Sequence, residues 1–398
     1  MDCFLQFGYG MKGLSTSLIE KWQGGRVILS PRDSTPGQLL SIAKEVTKVG
    51  GKTLFDPQLY YPRANHPRLA EYDYWPNDYN TGVLFDQPSL NNILQKIQGI
   101  NNAAQTEKYI IPGIYCARVN EEWYAIHDAI HAQAADVFSD KKRLSTICLS
   151  GEVLRFEEQI EDLLSHTEDW DTDGYYVIAE HPKNQYLVDD PLWLAHLLIL
   201  CSGLKLQGRE VIVGYGHHQL LCLAAAHVDA LASGNWINVR SFSSSKFHER
   251  VDETVSQRSV WYYCPHALSE YQPNFLDMGY RAGILDELRP DICLGSDYAD
   301  ILFSGALPSS TIYSESQAFK HYLHCLHQQC LQATRASFQE TFDVQEIQLD
   351  TAEQFIMRFH ERGVRGRARD FANIIDVNRS ALSALQDARG FVLEREWK

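Results

Sequence analysis

Asp33, Asp56, Asp78, Glu180, His181, His217, His218, Ser233 and Asn235 each stand where an apolar, often β-branched run gives way to turn residues. In a parallel β/α architecture those positions are the C-terminal ends of strands, the face on which catalytic groups collect. Carboxylates dominate the set. No glycine-rich phosphate loop and no paired metal motif accompanies them, so they suit chemistry at an acetal-like carbon. One carboxylate would activate water or stabilise an oxocarbenium-like centre. Asp33 precedes Ser34-Thr35-Pro36 and reads equally well as a helix cap. Asp56, between a strand and the pair Tyr60-Tyr61, and Asp78, within YDYWPNDYN, are the stronger catalytic candidates.

Aromatic residues gather at the same strand ends: Tyr60, Tyr61, Trp75, Tyr79 and Trp236. A site that holds a planar base outside a duplex needs a stacking surface and polar groups for the base edge, which Asn235, Gln58 and Asp78 could offer. The plainer reading is that the rings only cover the mouth of the fold. His217 and His218 are adjacent, and on a strand they would face opposite ways, which disfavours a shared metal ion. His321, His324, Cys325, His327 and Cys330 share a helix face but lack the paired spacing of a zinc site. The expectation is no metal and no cofactor.

The elements that would position these residues are most legible in EVIVGYGHHQLLCLAAAHVDALASGNW (210–236), which reads as strand, helix and strand with glycines at the strand ends. Further apolar runs near residues 26, 53, 75, 109, 145 and 175 bring the strands to eight, with those near 211 and 228. Eight β/α units close a (β/α)8 barrel of the TIM type. An open doubly wound sheet is the rival; the turn SPRDST after the run at 26 lacks the glycines such a sheet uses for phosphate. From about residue 261 the pattern becomes loop-rich and then helical. The organisation expected is a barrel over 1–260 and a C-terminal extension over 261–398 packed on it.

The 398 residues are 44% hydrophobic and 22% charged, and the chain carries a net charge of −15. Such a balance excludes a protein coated in nucleic acid, since phosphate neutralisation needs clustered Lys and Arg, but it leaves room for a local basic groove. RSFSSSKFHER (240–250) and RFHERGVRGRAR (358–369) could supply one, with Arg240, Lys246, Arg250, Arg365 and Arg367 as candidates for phosphate. Solvated loops are the ordinary explanation of such runs. No long apolar run predicts a membrane span, MDCFLQFGYGMKG does not read as a secretory signal, and the nine cysteines follow no framework spacing. A soluble, cytoplasmic protein with reduced thiols is expected, and a homodimer is compatible with the sequence.

KTLFDPQLYYPR (52–63) resembles the second-strand segment of the tRNA-guanine transglycosylases, and residues 210–236 resemble that family's seventh strand, helix and eighth strand. The similarity spans about residues 20–245 and is sparse residue by residue. It implies a TIM barrel acting on nucleic acid. The superfamily includes enzymes that insert deazapurines into DNA and a phage-defence glycosylase that excises glucosylated hydroxymethylcytosine, the member this chain resembles most. Two departures matter. The family's aspartate nucleophile falls at Ala232 or Ser233, while Asp229 matches a preceding aspartate and reads as structural. Of the family's three-cysteine zinc site only Cys264 lies in the expected region.

Base exchange needs a covalent intermediate that waits for a second base; without its nucleophile, hydrolysis by activated water is the simpler outcome. The resemblance therefore implies a DNA glycosylase that cleaves the N-glycosidic bond of a modified base and leaves an abasic site, in defence against phages. Asp56, Asp78 or Asp33 would be catalytic. Tyr60, Tyr61, Trp75, Glu180, His181, His217, Ser233, Asn235 and Trp236 would hold the base. The alternatives are a transglycosylase inserting a deazapurine into DNA or tRNA, a barrel that binds modified nucleic acid without catalysis, and a metabolic barrel enzyme.

Overall fold

The strands are short and buried almost throughout, which is what a parallel sheet covered on both faces requires. A computed structural model describes residues 1–76, 87–248, 259–291, 293–294 and 296–397. The strands are β1 (Asp2–Gln6), β2 (Arg26–Leu29), β3 (Lys52–Phe55), β4 (Tyr109–Ile111), β5 (Tyr115–Cys116), β6 (Arg143–Leu149), β7 (Gly174–Ala179), β8 (Glu210–Val213) and β9 (Ala230–Ser233). All pair in parallel, in the order β3-β2-β1-β9-β8-β7-β6-β4, with β5 continuing the line of β4 along β6. Two backbone bonds nearly complete the ring, from Glu107 N–H before β4 to Thr53 O of β3 at 2.9 Å and from Tyr115 N–H of β5 to Tyr60 O beyond β3 at 3.0 Å. The result is an eight-position TIM barrel.

Seven of the expected strands are where the apolar runs placed them. The remaining one, expected near residue 75, does not appear among the described residues of that stretch, which stop at 76 and resume at 87, and the barrel's first strand is β1. In the described part of that region, Tyr72, Tyr74 and Trp75 form a buried loop. Tyr72 donates its hydroxyl to Ser34 O at 2.7 Å and Tyr74 to Pro57 O at 2.8 Å. Aromatic density there serves to cover neighbouring turns, not to build a ladder. The connection from β8 to β9 is a 3-10 helix, His218–Ala226, where the sequence suggested an α-helix.

The C-terminal extension shares one continuous apolar core with the barrel. A hairpin of β10 (Tyr262–Cys264) and β11 (Ser269–Tyr271) opens it. Helix Glu315–Ala333 then packs on β1 and on helix Lys12–Trp22, the place of a barrel's eighth helix. The Trp22 indole N–H donates to His324 Nδ1 at 3.0 Å, and the Trp22 ring stacks on His327 at 4.1 Å. His321 is held by Ser296 Oγ at 2.8 Å and Tyr263 O at 2.7 Å. The histidines of that helix thus serve packing. The last helix, Ile375–Glu396, covers Pro191–Leu206 and the 3-10 connection, where Asn378 Nδ2 donates to Gln219 O at 3.0 Å. No described helix is long and apolar enough to cross a membrane.

Candidate active site

The residue after β3 is Asp56, whose side chain enters the barrel mouth with no exposed surface. Its Oδ2 accepts the Tyr60 hydroxyl at 2.6 Å and its Oδ1 the Gln58 backbone N–H at 3.0 Å. Burial penalises the ionised form and pushes Asp56 up to about 7, against the pull of the Tyr60 and Gln58 donors and the charge of Arg32. A carboxyl held near neutrality exchanges a proton at working pH, which a surface aspartate does not.

A hydrogen-bonded floor supports it. Gln58 Nε2 donates to Ser30 Oγ at 2.8 Å and to the Tyr215 hydroxyl at 2.9 Å, while Gln58 Oε1 accepts Arg32 N–H at 2.9 Å. Ser30 donates in turn to Asp33 at 2.7 Å, and Tyr176 donates to Gln6 Oε1 at 2.9 Å. Gln58 and Tyr215 both adopt left-handed backbone, with φ of +54° each. Non-glycine residues pay for that conformation, and such strain concentrates where geometry is fixed for function. Asp33 itself pairs with Arg32 at 3.2 Å and joins this floor through Ser30.

Phe242 and Phe247 roof the carboxylate. The Tyr60 ring meets them edge-on at 5.4 and 4.9 Å, and Tyr215 meets Phe242 at 5.3 Å. The roof is fastened by Glu180, which follows β7: its Oε1 accepts Ser244 N–H at 2.8 Å, and its other oxygen accepts the Tyr115 hydroxyl. Tyr61 leans on Tyr115 at 5.0 Å and on His248 at 3.8 Å, so this partly exposed rim holds a carboxylate, two tyrosines and an imidazole. Lys246 belongs to the same short helix, Ser245–His248.

Of the other predicted residues, His181 and His217 come together, with ring centroids 5.2 Å apart. Trp75 is 3% exposed and lies in the core. His181 donates from Nδ1 to Gln185 O at 2.9 Å, and burial brings it down to about 4. His217 is pushed well below its ordinary value, first by burial and then by the neighbouring imidazoles, and its Nδ1 accepts Gln219 N–H at 3.2 Å. Both are neutral near pH 7. Ser233 is fully buried. Asn235 Nδ2 and Trp236 Nε1 donate to the Tyr9 carbonyl at 3.0 and 3.2 Å, and Trp236 presents its ring to Phe319, so these two residues hold a loop. Asp78, Tyr79 and Arg250 lie outside the described residues.

Arg240 is not the phosphate-facing residue that the sequence suggests. It is 2% exposed, lies 3.4 Å over the Tyr322 ring, donates to Gly234 O at 2.8 Å and pairs with Glu270 at 3.5 Å. Arg369 pairs with the same carboxylate at 2.7 Å. Burial alone would raise Glu270, but the two arginines hold it down at about 2. Arg240 therefore clamps the extension to the mouth and meets no phosphate. Arg365 and Arg367 are exposed.

The residues missed by sequence reasoning are Gln6, Ser30, Tyr115, Tyr176 and Tyr215. A glutamine inside an apolar strand and a tyrosine between two glycines were the available signals. A separate cleft of about 390 Å³, lined by Leu164, Gln207, Arg209 and Arg389 among others, opens at the N-terminal end of the barrel. It lies opposite the face that holds these carboxylates.

No protein-family model matches the sequence, and no curated protein does. Solved structures with a similar course include the 3-dehydroquinate dehydratase from Aquifex aeolicus VF5, at 13% identity over 62% of this chain and 95% of that one, with a TM-score of 0.33. An L-ribulose 3-epimerase is similar at 13% identity, over 65% of this chain and 89% of that one, TM-score 0.32. A glucosidase from Croceicoccus marinus is similar at 11% identity, over 55% and 54%, TM-score 0.32. The barrel stands on its own strand order, and the chemistry on the residues above.

Proposed function

We propose that the chain is an enzyme, a DNA glycosylase that hydrolyses the N-glycosidic bond of a modified base, with Asp56 as its catalytic carboxylate. The observation that carries this reading is a buried carboxyl near pKa 7 at the C-terminal end of a barrel strand, under tyrosines. Ionised, Asp56 takes a proton from water as the water oxygen bonds to C1′. The C1′–N bond breaks with its electron pair leaving on the base, and the proton passes from Asp56 to that base. Asp56, Phe242 and Phe247 are all buried, so this reading requires the roof to lift for substrate to reach the carboxyl.

Hydrolysis is favoured over exchange because β9 ends in Ala232 and Ser233, both buried, where the resembled family carries its nucleophile. The DNA substrate and the glucosylated hydroxymethylcytosine base, and with them a role against phages, rest on the resemblance of residues 52–63 and 210–236.

The test is incubation with phage DNA carrying glucosylated hydroxymethylcytosine, and with unmodified DNA, followed by an abasic-site nuclease. Strand breaks confined to modified DNA, and absent with Asp56→Asn, are expected. Incorporation of a labelled deazapurine would replace this reading with base exchange. Binding without base release on any DNA would replace it with a non-catalytic reader.

A further inference from the structure

The loop after β1 presents one ring to solvent at the catalytic face. Tyr9 is 72% exposed, while Phe7 and Met11, two residues to either side, are 3% and 0% exposed. The loop is built to hold that ring in place. Gly8 has no room for a side chain, since a Cβ there would sit 2.9 Å from Val239 and 3.0 Å from Asn235 Oδ1, and Gly10 adopts a φ of +77°. The Tyr9 carbonyl accepts both Asn235 Nδ2 and Trp236 Nε1. Met11 N–H closes the turn onto Gly8 O at 3.2 Å. The residues that fix the loop come from the stretch that follows β9, so the ring is anchored to the barrel rim rather than carried on a free tip.

A single exposed aromatic residue is ordinary on a protein surface. An exposed ring on a backbone pinned at its carbonyl and closed by two obligatory glycines is a preorganised stacking surface, and it loses little freedom when a partner lies on it. The rings that the sequence suggested for stacking are otherwise engaged: Tyr60 is 2% exposed and bonded to Asp56, and Trp236 supports the loop. We infer that Tyr9 is the platform on which an unpaired nucleobase of the bound strand stacks, next to the nucleotide that enters the mouth. The inference rests on the nucleic-acid reading of the site above.

The test is binding of a fluorescently labelled oligothymidylate and of a sugar–phosphate strand of equal length without bases, by anisotropy, for the wild type, Tyr9→Ala and Tyr9→Phe. Base stacking on one ring predicts that Tyr9→Ala weakens oligothymidylate binding on the order of tenfold, leaves the base-free strand unchanged, and that Tyr9→Phe behaves as wild type. Equal binding of oligothymidylate by wild type and Tyr9→Ala, or equal weakening on both strands, overturns the role of Tyr9 and leaves the glycosylase reading standing. Failure of the wild type to bind either strand also overturns the role of Tyr9, while base release from modified DNA decides the glycosylase reading separately. The ring is exposed and makes no core contact, so all three proteins fold, which their thermal unfolding will verify.

Discussion

Tyr60 donates its hydroxyl to Asp56 at 2.6 Å, at a carboxyl with no exposed surface. Such a donor favours the ionised form, yet burial is the larger effect and Asp56 remains near 7. The native protein therefore holds a proton on Asp56 that the unfolded chain, with an ordinary aspartate near 4, has already released. Stability from this group is full below about pH 4 and falls as pH rises towards 7. Asp56→Asn removes that slope. Its advantage over wild type in thermal unfolding should be absent near pH 4, grow to pH 7 and then level, reaching on the order of 4 kcal/mol at 1.36 kcal/mol per pKa unit. Base release should fall about 10²- to 10⁴-fold. A variant that is no more stable at pH 8 than at pH 4, relative to wild type, contradicts the buried, protonated carboxyl.

Tyr60→Phe deletes one oxygen and leaves the ring between Phe242 and Phe247. Loss of the donor moves Asp56 still higher, so the fraction ionised at pH 7 drops. Activity at pH 7 should fall on the order of tenfold for each pKa unit gained, and the rising limb of the pH–rate profile should move to higher pH by the same amount. A lower rate with an unshifted limb would assign Tyr60 to substrate contact instead.

The barrel was legible because a parallel strand buried on both faces must be a short apolar run, and the runs at 26, 53, 109, 145, 175, 211 and 228 have no other ready explanation. β1 escaped notice because DCFLQ mixes an acid and a glutamine into five residues. The glutamine is polar because Tyr176 needs Gln6 as an acceptor inside the barrel. Asp56 and Tyr60 were legible from position alone, at the end of a strand. Arg240 was misread because charge in a run of Ser, Lys and Arg looks solvated, and its partner Glu270 lies thirty residues away in a hairpin no local pattern announces. Trp236 was misread for a related reason: composition offers a ring, but only the tertiary structure shows that its indole N–H is already committed to Tyr9 O.

Glu270 holds two cations from different parts of the chain, the buried Arg240 behind the barrel mouth and the partly buried Arg369 in the extension. Glu270→Gln leaves both without a counter-charge and should cost about 3–5 kcal/mol in urea unfolding. The wild-type pair has its own pH signature. Because Glu270 is held at about 2, below the ordinary glutamate value, its contribution is present above about pH 4.5 and is lost as pH falls towards 2. The Gln variant should lack that acid-side loss. Equal acid sensitivity in both proteins would remove Glu270 as its source.

Asp229 separates an aspartate of the fold from an aspartate of the chemistry. It precedes β9 and therefore stands at the N-terminal end of the barrel. There its Oδ2 accepts Val211 N–H at 2.7 Å and Lys205 Nζ at 2.7 Å, tying the start of β8 to the start of β9 and to the end of helix Pro191–Leu206. A charge at this end of a barrel serves stability, since catalytic groups collect at the opposite, C-terminal face. Asp229→Ala leaves the Val211 N–H and the Lys205 ammonium without their acceptor, so unfolding should become easier by about 1–3 kcal/mol while the rate of base release per folded molecule stays within about twofold of wild type. A folded Asp229→Ala protein that releases no base would move the chemistry to the opposite end of the barrel and away from Asp56.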